Sequence, residues 1–382
     1  MQKKHLGRML CSFALSALTL WGVSVTTAAK DARTALRSLR EESLGVMLLR
    51  YERGDGGEEY LSMQTSLALR AAPLLRGEDE RIAQAWSTEL TQKPDDGAAG
   101  DAQDNEGTVL TQEKTPDEVA VTENGVPART LKASDPSGYT VFGNVYINNG
   151  SDAVLDASML GADYAACLGA DEPQVLIIHT HGTESYTMPP GQEYDVSDTF
   201  RTLDTNCNMI RVGDEMARTL TECGISVVHD RSLYDYPSYS GAYNRSLASI
   251  ERYLEKYPSI SFVLDVHRDA VQDANGNQFK LLCGEDAGAA QLEFVIGSNG
   301  GGLSHDLWRE NLKLACAVQE TLYKDYPTLM RPVTVRNSRY NQHMTTGSLL
   351  VEVGTAGNSL EEAINAARIF AAGFAKTIQN GT

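Results

Sequence analysis

Three short polar clusters in this chain carry residue types that can hold a metal ion and move protons. The first, His179-Thr180-His181-Gly182-Thr183-Glu184, follows the apolar run Val175-Leu176-Ile177-Ile178. Two imidazoles and a carboxylate beside a glycine that permits a tight turn make half of a metal site. They sit on a loop after a strand, so the spacing is not that of a zincin helix. The second cluster, Asp265-Val266-His267-Arg268-Asp269, ends the run Phe262-Val263-Leu264. Strand alternation puts Asp265 and His267 on one face and Val266 on the other. His267 is therefore a candidate ligand, with Asp265 or Asp269 placed to orient its second ring nitrogen. Arg268 offers a planar fork to a substrate carboxylate or phosphate.

The third cluster is Ser348-Leu349-Leu350-Val351-Glu352-Val353-Gly354-Thr355. Glu352 lies inside an apolar run, where a carboxylate is costly unless it is paired or used. Burial would raise its pKa and suit it to take a proton from water and hand it to a leaving amine. The structural alternative is an ion pair with Arg336 or Arg339. Taken together, the clusters support metal-assisted hydrolysis, with the metal as Lewis acid and Glu352 as proton carrier. Serine and cysteine chemistry fit poorly: Ser185 has no nucleophile-elbow context, and no cysteine falls in a polar strand-end motif. Asp230, Arg231, Asp235, Tyr236, Tyr239 and Tyr243 read as pocket walls, and the donor-rich run from Arg336 to His343 as a loop over the site. The glycine-rich run Gly297 to Gly302 lacks both the P-loop ending and dinucleotide spacing, and reads as a strand-to-helix connection.

The elements that must position these clusters alternate. Val175 to Ile178, Ile225 to His229, Ser261 to Val266, Glu293 to Ile296 and Ser348 to Val353 read as strands. Asn208 to Glu222, Tyr243 to Lys256, His305 to Leu322 and Leu360 to Ile378 read as helices. This order implies an α/β fold with a mostly parallel twisted sheet and helices on both faces, with its site beyond the carboxyl ends of the strands. The domain that carries the chemistry is expected over residues 171–382. Before it, residues 136–170 suggest a strand-containing arm packed on that domain, with a turn at Asn148-Asn149-Gly150.

Residues 89–135 hold eleven acidic residues against four basic ones. With almost no aromatic residues, that stretch is expected to be a disordered acidic linker. Short amphipathic helical patterns fill residues 30–88. At the start, Lys3, Lys4 and Arg8 precede an apolar run from Met9 to Val25, followed by Thr26, Thr27, Ala28 and Ala29. That layout predicts export, with residues 1–29 acting as a signal peptide cleaved near Ala29 or as a membrane anchor. Outside it, Cys167, Cys207, Cys223, Cys283 and Cys316 show no disulfide framework, although Cys207 and Cys223 are a candidate pair. The formal charge of -18 argues against nucleic acid as a partner.

These motifs resemble the stage II sporulation protein P family. The resemblance is carried by His179-Thr180-His181 with Glu184-Ser185-Tyr186, Asn208 with Arg211-Val212-Gly213, and His229-Asp230. It continues in Tyr239 through Ser246, Asp265 through Ala270, Trp308 with Asn311, and Tyr340-Asn341-Gln342. Glu352-Val353-Gly354 before Asn358-Ser359-Leu360-Glu361-Glu362-Ala363 completes it, over roughly residues 140–380. It implies a fold similar to zinc-dependent N-acetylmuramoyl-L-alanine amidases, which cut the amide between the glycan lactyl group and the stem peptide of peptidoglycan. It also implies endopeptidase action on cross-links, and work during engulfment in endospore formers beside a lytic transglycosylase and a membrane-anchored partner.

By the same resemblance, zinc is held by a histidine of the first motif and by His267, and Glu352 is the catalytic carboxylate. The wider amidase family places a Glu ligand at a helix start, whereas the matching helix here begins near Asn208 without one. Glu184 is the substitute, as a ligand or as a group behind the ligands. Of the two histidines, His181 is preferred because it stands off the strand beside Gly182; His179 stays a candidate. Two rival readings are a metallopeptidase without amidase activity, for which His181-x-x-Glu184 with a distant His267 is suitable spacing, and a binding module without turnover.

Overall fold

The computed structural model describes residues 126–160, 163–169, 171–189, 200–272 and 278–381, with two short strands at 108–109 and 120–121. The expected signal or anchor (1–29), the helical segment (30–88) and most of the acidic linker lie outside the described residues. All described residues belong to one compact unit, Ala98–Thr382.

The strands are β1 (Thr108–Val109), β2 (Ala120–Val121), β3 (Pro127–Arg129), β4 (Thr140–Phe142), β5 (Val145–Asn149), β6 (Val175–Ile178) and β7 (Val227–His229). They continue with β8 (Phe262–Asp269), β9 (Val271–Gln272), β10 (Lys280–Leu281), β11 (Leu292–Gly297), β12 (Val333–Arg336) and β13 (Gly347–Thr355). The α-helices are α1 (Met209–Glu222), α2 (Ala242–Lys256), α3 (Trp308–Tyr323) and α4 (Leu360–Asn380). Eight strands form the main sheet in the order β4-β5-β12-β11-β13-β8-β6-β7. Only β4 with β5 and β11 with β13 run antiparallel; the other neighbours are parallel. The sheet is thus mostly parallel, as the strand-helix alternation predicts.

Strand alternation gives the sheet two unlike faces. Val175 and Ile177 of β6, Phe262, Leu264 and Val266 of β8, Phe294 of β11 and Val351 of β13 share one core with α1, α3 and α4. Phe262 meets Phe374 of α4 edge-on at 5.7 Å, and Phe294 meets Phe370 at 5.8 Å. Each such ring, fully buried, contributes about 1.5–3 kcal/mol by leaving water. On the opposite face α2 covers only Leu176, Ile178 and Val263. The residues that alternate with the core positions, Glu293 and Val295 on β11, Thr334 and Arg336 on β12, and Leu350 and Glu352 on β13, therefore lie on a face with no helix of that core above it.

Helix starts are set by local chemistry. Asn208 caps α1 by accepting from the Ile210 N–H at 3.0 Å, and Ser359 with Glu362 forms a capping box at the start of α4. At α3 the helix begins at Trp308 and not at His305. Among the described residues no helix is long and apolar enough to cross a membrane.

Four expectations are corrected. The hairpin turns at Gly143-Asn144, where Gly143 has φ of 57°, and not at Asn148-Asn149-Gly150; Asn148 and Asn149 pair with β12 instead. The supposed arm is thus an edge of the main sheet. Arg336, read as the start of a loop, instead ends the interior strand β12, whose preceding residues Val333–Val335 carried no strand assignment because their short run merges into the polar loop. The acidic segment does not stay structureless to Asp135: Pro127–Arg129 pairs with β10, Thr130 donates to the Leu282 carbonyl at 2.7 Å, and the Leu131 N–H donates to Gln291. That stretch has left the acid-rich run behind. Finally, no disulfide joins any two of the five described cysteines; Cys207 and Cys223 flank opposite ends of α1, about 20 Å apart, well beyond disulfide reach.

Candidate metal centre

At the carboxyl end of β6 the chain turns sharply, and the Glu184 N–H donates to the His181 carbonyl at 3.2 Å. A Cβ at Gly182 would come within 2.9 Å of Leu233 Cδ2 and 3.3 Å of the Ser232 carbonyl, so a larger residue there would have to move the Leu233 side chain. The turn brings His181 Nδ1 to 3.5 Å from Glu184 Oε1, while His267 Nδ1 from β8 lies 3.6 Å from Glu184 Oε2. Ligand atoms from all three buried side chains lie within 4.8 Å of one another. Two imidazole nitrogens and one carboxylate oxygen, with a cleft on the remaining side, match the donor set and open position of a catalytic zinc site.

Groups behind the cluster hold it in place. Asp265 Oδ1 lies 2.9 Å from His267 Nε2. That carboxylate accepts from the Thr180 N–H at 2.8 Å and from Thr180 Oγ1 at 2.6 Å. Burial opposes charge on Asp265, but His267 and the Thr180 donors keep its pKa below the usual value. Glu184 is likewise opposed by burial yet held well below its usual range by His181, His267 and Arg268. The Glu184 carboxylate also accepts from the Arg268 N–H at 3.2 Å and lies 3.6 Å from Arg201. Arg201 in turn reaches Asp235 at 3.0 Å, and Asp235 accepts from Thr183.

His179 is separated from this group. Strand alternation carries it with Val175 and Ile177 to the α1 face, where Nδ1 donates to the Val266 carbonyl at 2.9 Å. Its Nε2 is 2.9 Å from Nε2 of His229, whose Nδ1 lies 3.1 Å from Asp214. A Cβ at Gly213 would run into both rings. Burial, with His229 beside it, lowers the His179 pKa to about 3. Arg268, the expected substrate fork, spends its donors on backbone: Nε on the Ser185 carbonyl at 3.0 Å and Nη2 on the Phe200 carbonyl at 3.1 Å.

The cluster opens on a cleft lined by His181, Glu184, Tyr239, Tyr243, His267, Arg268, Asp269, Ala270, Val295, Arg336, Tyr340, Leu350 and Glu352. Tyr239 stacks on His181 at 4.5 Å. Glu352 stands directly across from His267 in the β13–β8 register. Its Oε2 is buried without a hydrogen-bond partner, and burial raises its pKa well above the usual value. The ion pair with Arg336 or Arg339 is absent among the described residues. Glu293, opposite Glu352 on β11, is instead paired with Arg331 at 2.7 Å, and Arg331 also holds Asp269 at 2.7 Å. Asp269 thus serves Arg331, and of the two aspartates it is Asp265 that faces the His267 ring.

Of the other expected walls, Tyr239, Tyr243, Arg336 and Tyr340 line the cleft. Asp235 supports it from behind, Tyr236 is exposed, and Asp230 accepts from Tyr234. Arg231 pairs with Asp214. Glu293, Arg331, Arg201 and the clamp from Thr180 escaped the sequence reading. Glu293 had a signal, since it alternates with Leu292 and Phe294 as Glu352 does with Val351 and Val353. Arg201 had none, because only the folded loop brings it to Glu184.

A mostly parallel sheet with a buried His-Glu-His cluster and a buried carboxyl at its strand ends defines an α/β protein whose cleft carries side chains able to hold a metal ion. The chain belongs to the stage II sporulation protein P family, whose family model matches residues 60–375. The stage II sporulation protein P of Bacillus subtilis (strain 168) is 29% identical over 210 residues, covering 52% of this chain and 49% of that protein. The chain therefore spans about half the length of the curated relative it matches. Among solved structures, the CwlD amidase from Clostridioides difficile in complex with the GerS lipoprotein is 16% identical, with a TM-score of 0.34 over 55% of this chain and 98% of that one. N-acetylmuramoyl-L-alanine amidase AmiC2 of Nostoc punctiforme is 16% identical, with a TM-score of 0.30 over 56% of this chain and 96% of that one.

Proposed function

We propose that this chain is a zinc-dependent peptidoglycan hydrolase that cuts the amide between the N-acetylmuramoyl lactyl group and the L-alanine of the stem peptide during sporulation. The observation that carries this reading is the buried His181, Glu184 and His267 cluster facing a cleft that also contains the unpartnered carboxyl of Glu352. Family membership supports the substrate. Zinc bound by those three residues supplies Lewis acidity, polarising a carbonyl and making water acidic near neutral pH.

The chain's own residues do the rest. Asp265 fixes the His267 ring so that Nδ1 faces the metal position. Glu352, with its pKa raised by burial, takes a proton from the attacking water and delivers it to the departing L-alanine nitrogen. The aromatic faces of Tyr239 and Tyr243 give a sugar-peptide substrate a wall to lie against. In the same reading the chain acts outside the cytoplasm, anchored in the membrane or released after signal cleavage. It works there beside a lytic transglycosylase and membrane-anchored sporulation proteins. Its net charge of -18 suits none of the nucleic-acid functions.

The test is a digest of purified peptidoglycan by the full-length chain, with and without a zinc chelator, and by Glu352→Gln, with products read by mass spectrometry. Free stem peptides appearing only with zinc and intact Glu352 support the amidase. Cross-links cut while sugars keep their peptides would replace it with an endopeptidase, and zinc binding without products would replace it with a binding role.

A further inference from the structure

Four guanidinium groups lie at or just beneath the cleft, and three are engaged by acceptors of the chain itself, Arg201 by Asp235 and Glu184. Arg268 is spent on the Ser185 and Phe200 carbonyls, and Arg331 on Asp269 and Glu293. Arg336 differs. It ends β12, its side chain lines the cleft, and among the described residues it donates to no acceptor and has no carboxylate within 4.0 Å.

Its backbone is nonetheless firmly held. The Arg336 carbonyl accepts from Ser298 at 2.8 Å, and the strand is paired with Gly297. The loop that follows passes through Tyr340 and Asn341, both in the left-handed region with φ of 49° and 56°. Such a backbone persists only where its surroundings fix it. Here Asn341 donates to the Tyr243 carbonyl at 2.8 Å, and Gln342 bonds to both Gly297 and Val295.

A rigidly based, half-buried guanidinium with free donors is preorganised for a planar anion, to which it can give two parallel hydrogen bonds. Glu184 and Asp269 place two further carboxylates on the wall of the cleft, and neither favours an anion beside it. Among the protein side chains of the cleft, Arg336 therefore offers an acidic group the uncommitted donors. We propose that Arg336 is the specificity residue of this cleft, anchoring a free carboxylate on the peptide side of the scissile amide. Resting on the hydrolase reading above, the inference identifies that group as the α-carboxylate of the γ-linked glutamyl residue that follows L-alanine, which peptidoglycan carries either free or amidated. The bland alternative is a long-range counter-charge to Asp269, Glu293 and Glu352, which would affect all substrates alike.

The experiment compares two batches of uncross-linked glycan strands that differ only in glutamate or isoglutamine at that position. Full-length wild type, Arg336→Lys and Arg336→Gln are tested on both, with zinc content and melting temperature checked for each protein. Wild type should prefer the free acid by ~10–100-fold in kcat/KM, as expected for a charge-assisted hydrogen-bonded pair. Arg336→Gln should bring the two substrates within about twofold of each other, mainly through KM, and Arg336→Lys should retain part of the preference. Equal cleavage of both by wild type overturns the anchor while leaving the hydrolase intact, as does an Arg336→Gln variant that slows both substrates equally through kcat. Cleavage of neither by zinc-loaded wild type overturns the hydrolase reading and the anchor with it.

Discussion

Asp265 Oδ1 stands 2.9 Å from Nε2 of His267, which leaves Nδ1 as the ring nitrogen that faces Glu184. The carboxylate is itself clamped by Thr180, so the ring orientation is fixed two layers deep. Groups behind a ligand are worth about 10–100-fold in metal affinity. Asp265→Asn is therefore expected to weaken zinc binding by that factor while the fold persists, as measured by competition with a chromophoric chelator. Unchanged affinity in a folded variant would mean that Asp265 does not orient the ligand.

Glu352 makes two separable predictions. Glu352→Gln should lower kcat by about 10²–10⁴-fold, the usual worth of a positioned proton carrier, and keep its zinc. The second concerns stability in the metal-free chain. Burial raises the folded-state pKa well above the unfolded value, so the folded form keeps a proton that the unfolded form releases above about pH 4.3. Stability contributed by this group is present below that pH and is lost as pH rises toward the folded pKa. Glu352→Gln should gain on wild type in thermal melts as pH goes from 4 to 8; a gap that stays constant with pH would contradict the raised pKa.

The helices were legible from their period, and β6, β8 and β13 from the compact apolar runs that form them. Alternation along β8 put Asp265 and His267 on one face, and the apolar run around Glu352 marked that carboxylate as unusual. What the sequence withheld was register: that Glu352 stands opposite His267, and Glu293 opposite Glu352, depends on which strands are neighbours. β12 illustrates the lower limit. Val333-Thr334-Val335-Arg336 shows only two alternations before a polar loop begins, so Arg336 was read with that loop although it ends a strand. His179 and His181 could not be separated by type or spacing. They diverge because β6 imposes alternation on His179, whereas the turn at Gly182 frees His181 from it.

The pairing of Arg331 with both Asp269 and Glu293 predicts an asymmetric pair of variants. Arg331→Met would leave two buried carboxylates without their cation, at a cost of about 3–5 kcal/mol in urea denaturation. Removing one of those charges as well, in Glu293→Gln/Arg331→Met, should recover part of the loss, because Gln can still accept from Thr334, which reaches Glu293 at 2.5 Å. A double variant less stable than the single would show that Arg331 is not there to balance charge.

The two histidines of the first motif should be separable by experiment even though they are two residues apart. His179 is buried and neutral, with a pKa lowered to about 3 by burial and by His229. In the unfolded chain the same side chain takes up a proton near pH 6.5. Because the folded state binds that proton only near pH 3, stability should fall as pH drops from 6.5 toward 3, by up to about 1.4 kcal/mol per pH unit. Asparagine at this position can still donate to the Val266 carbonyl but does not titrate. His179→Asn is thus expected to flatten that part of the acid limb of stability and to retain zinc. His181→Asn should do the reverse, losing zinc while keeping the acid limb. Metal analysis with urea melts at several pH values checks both, and loss of zinc from folded His179→Asn would return His179 to the ligand set and require β6 to break its alternation when metal binds.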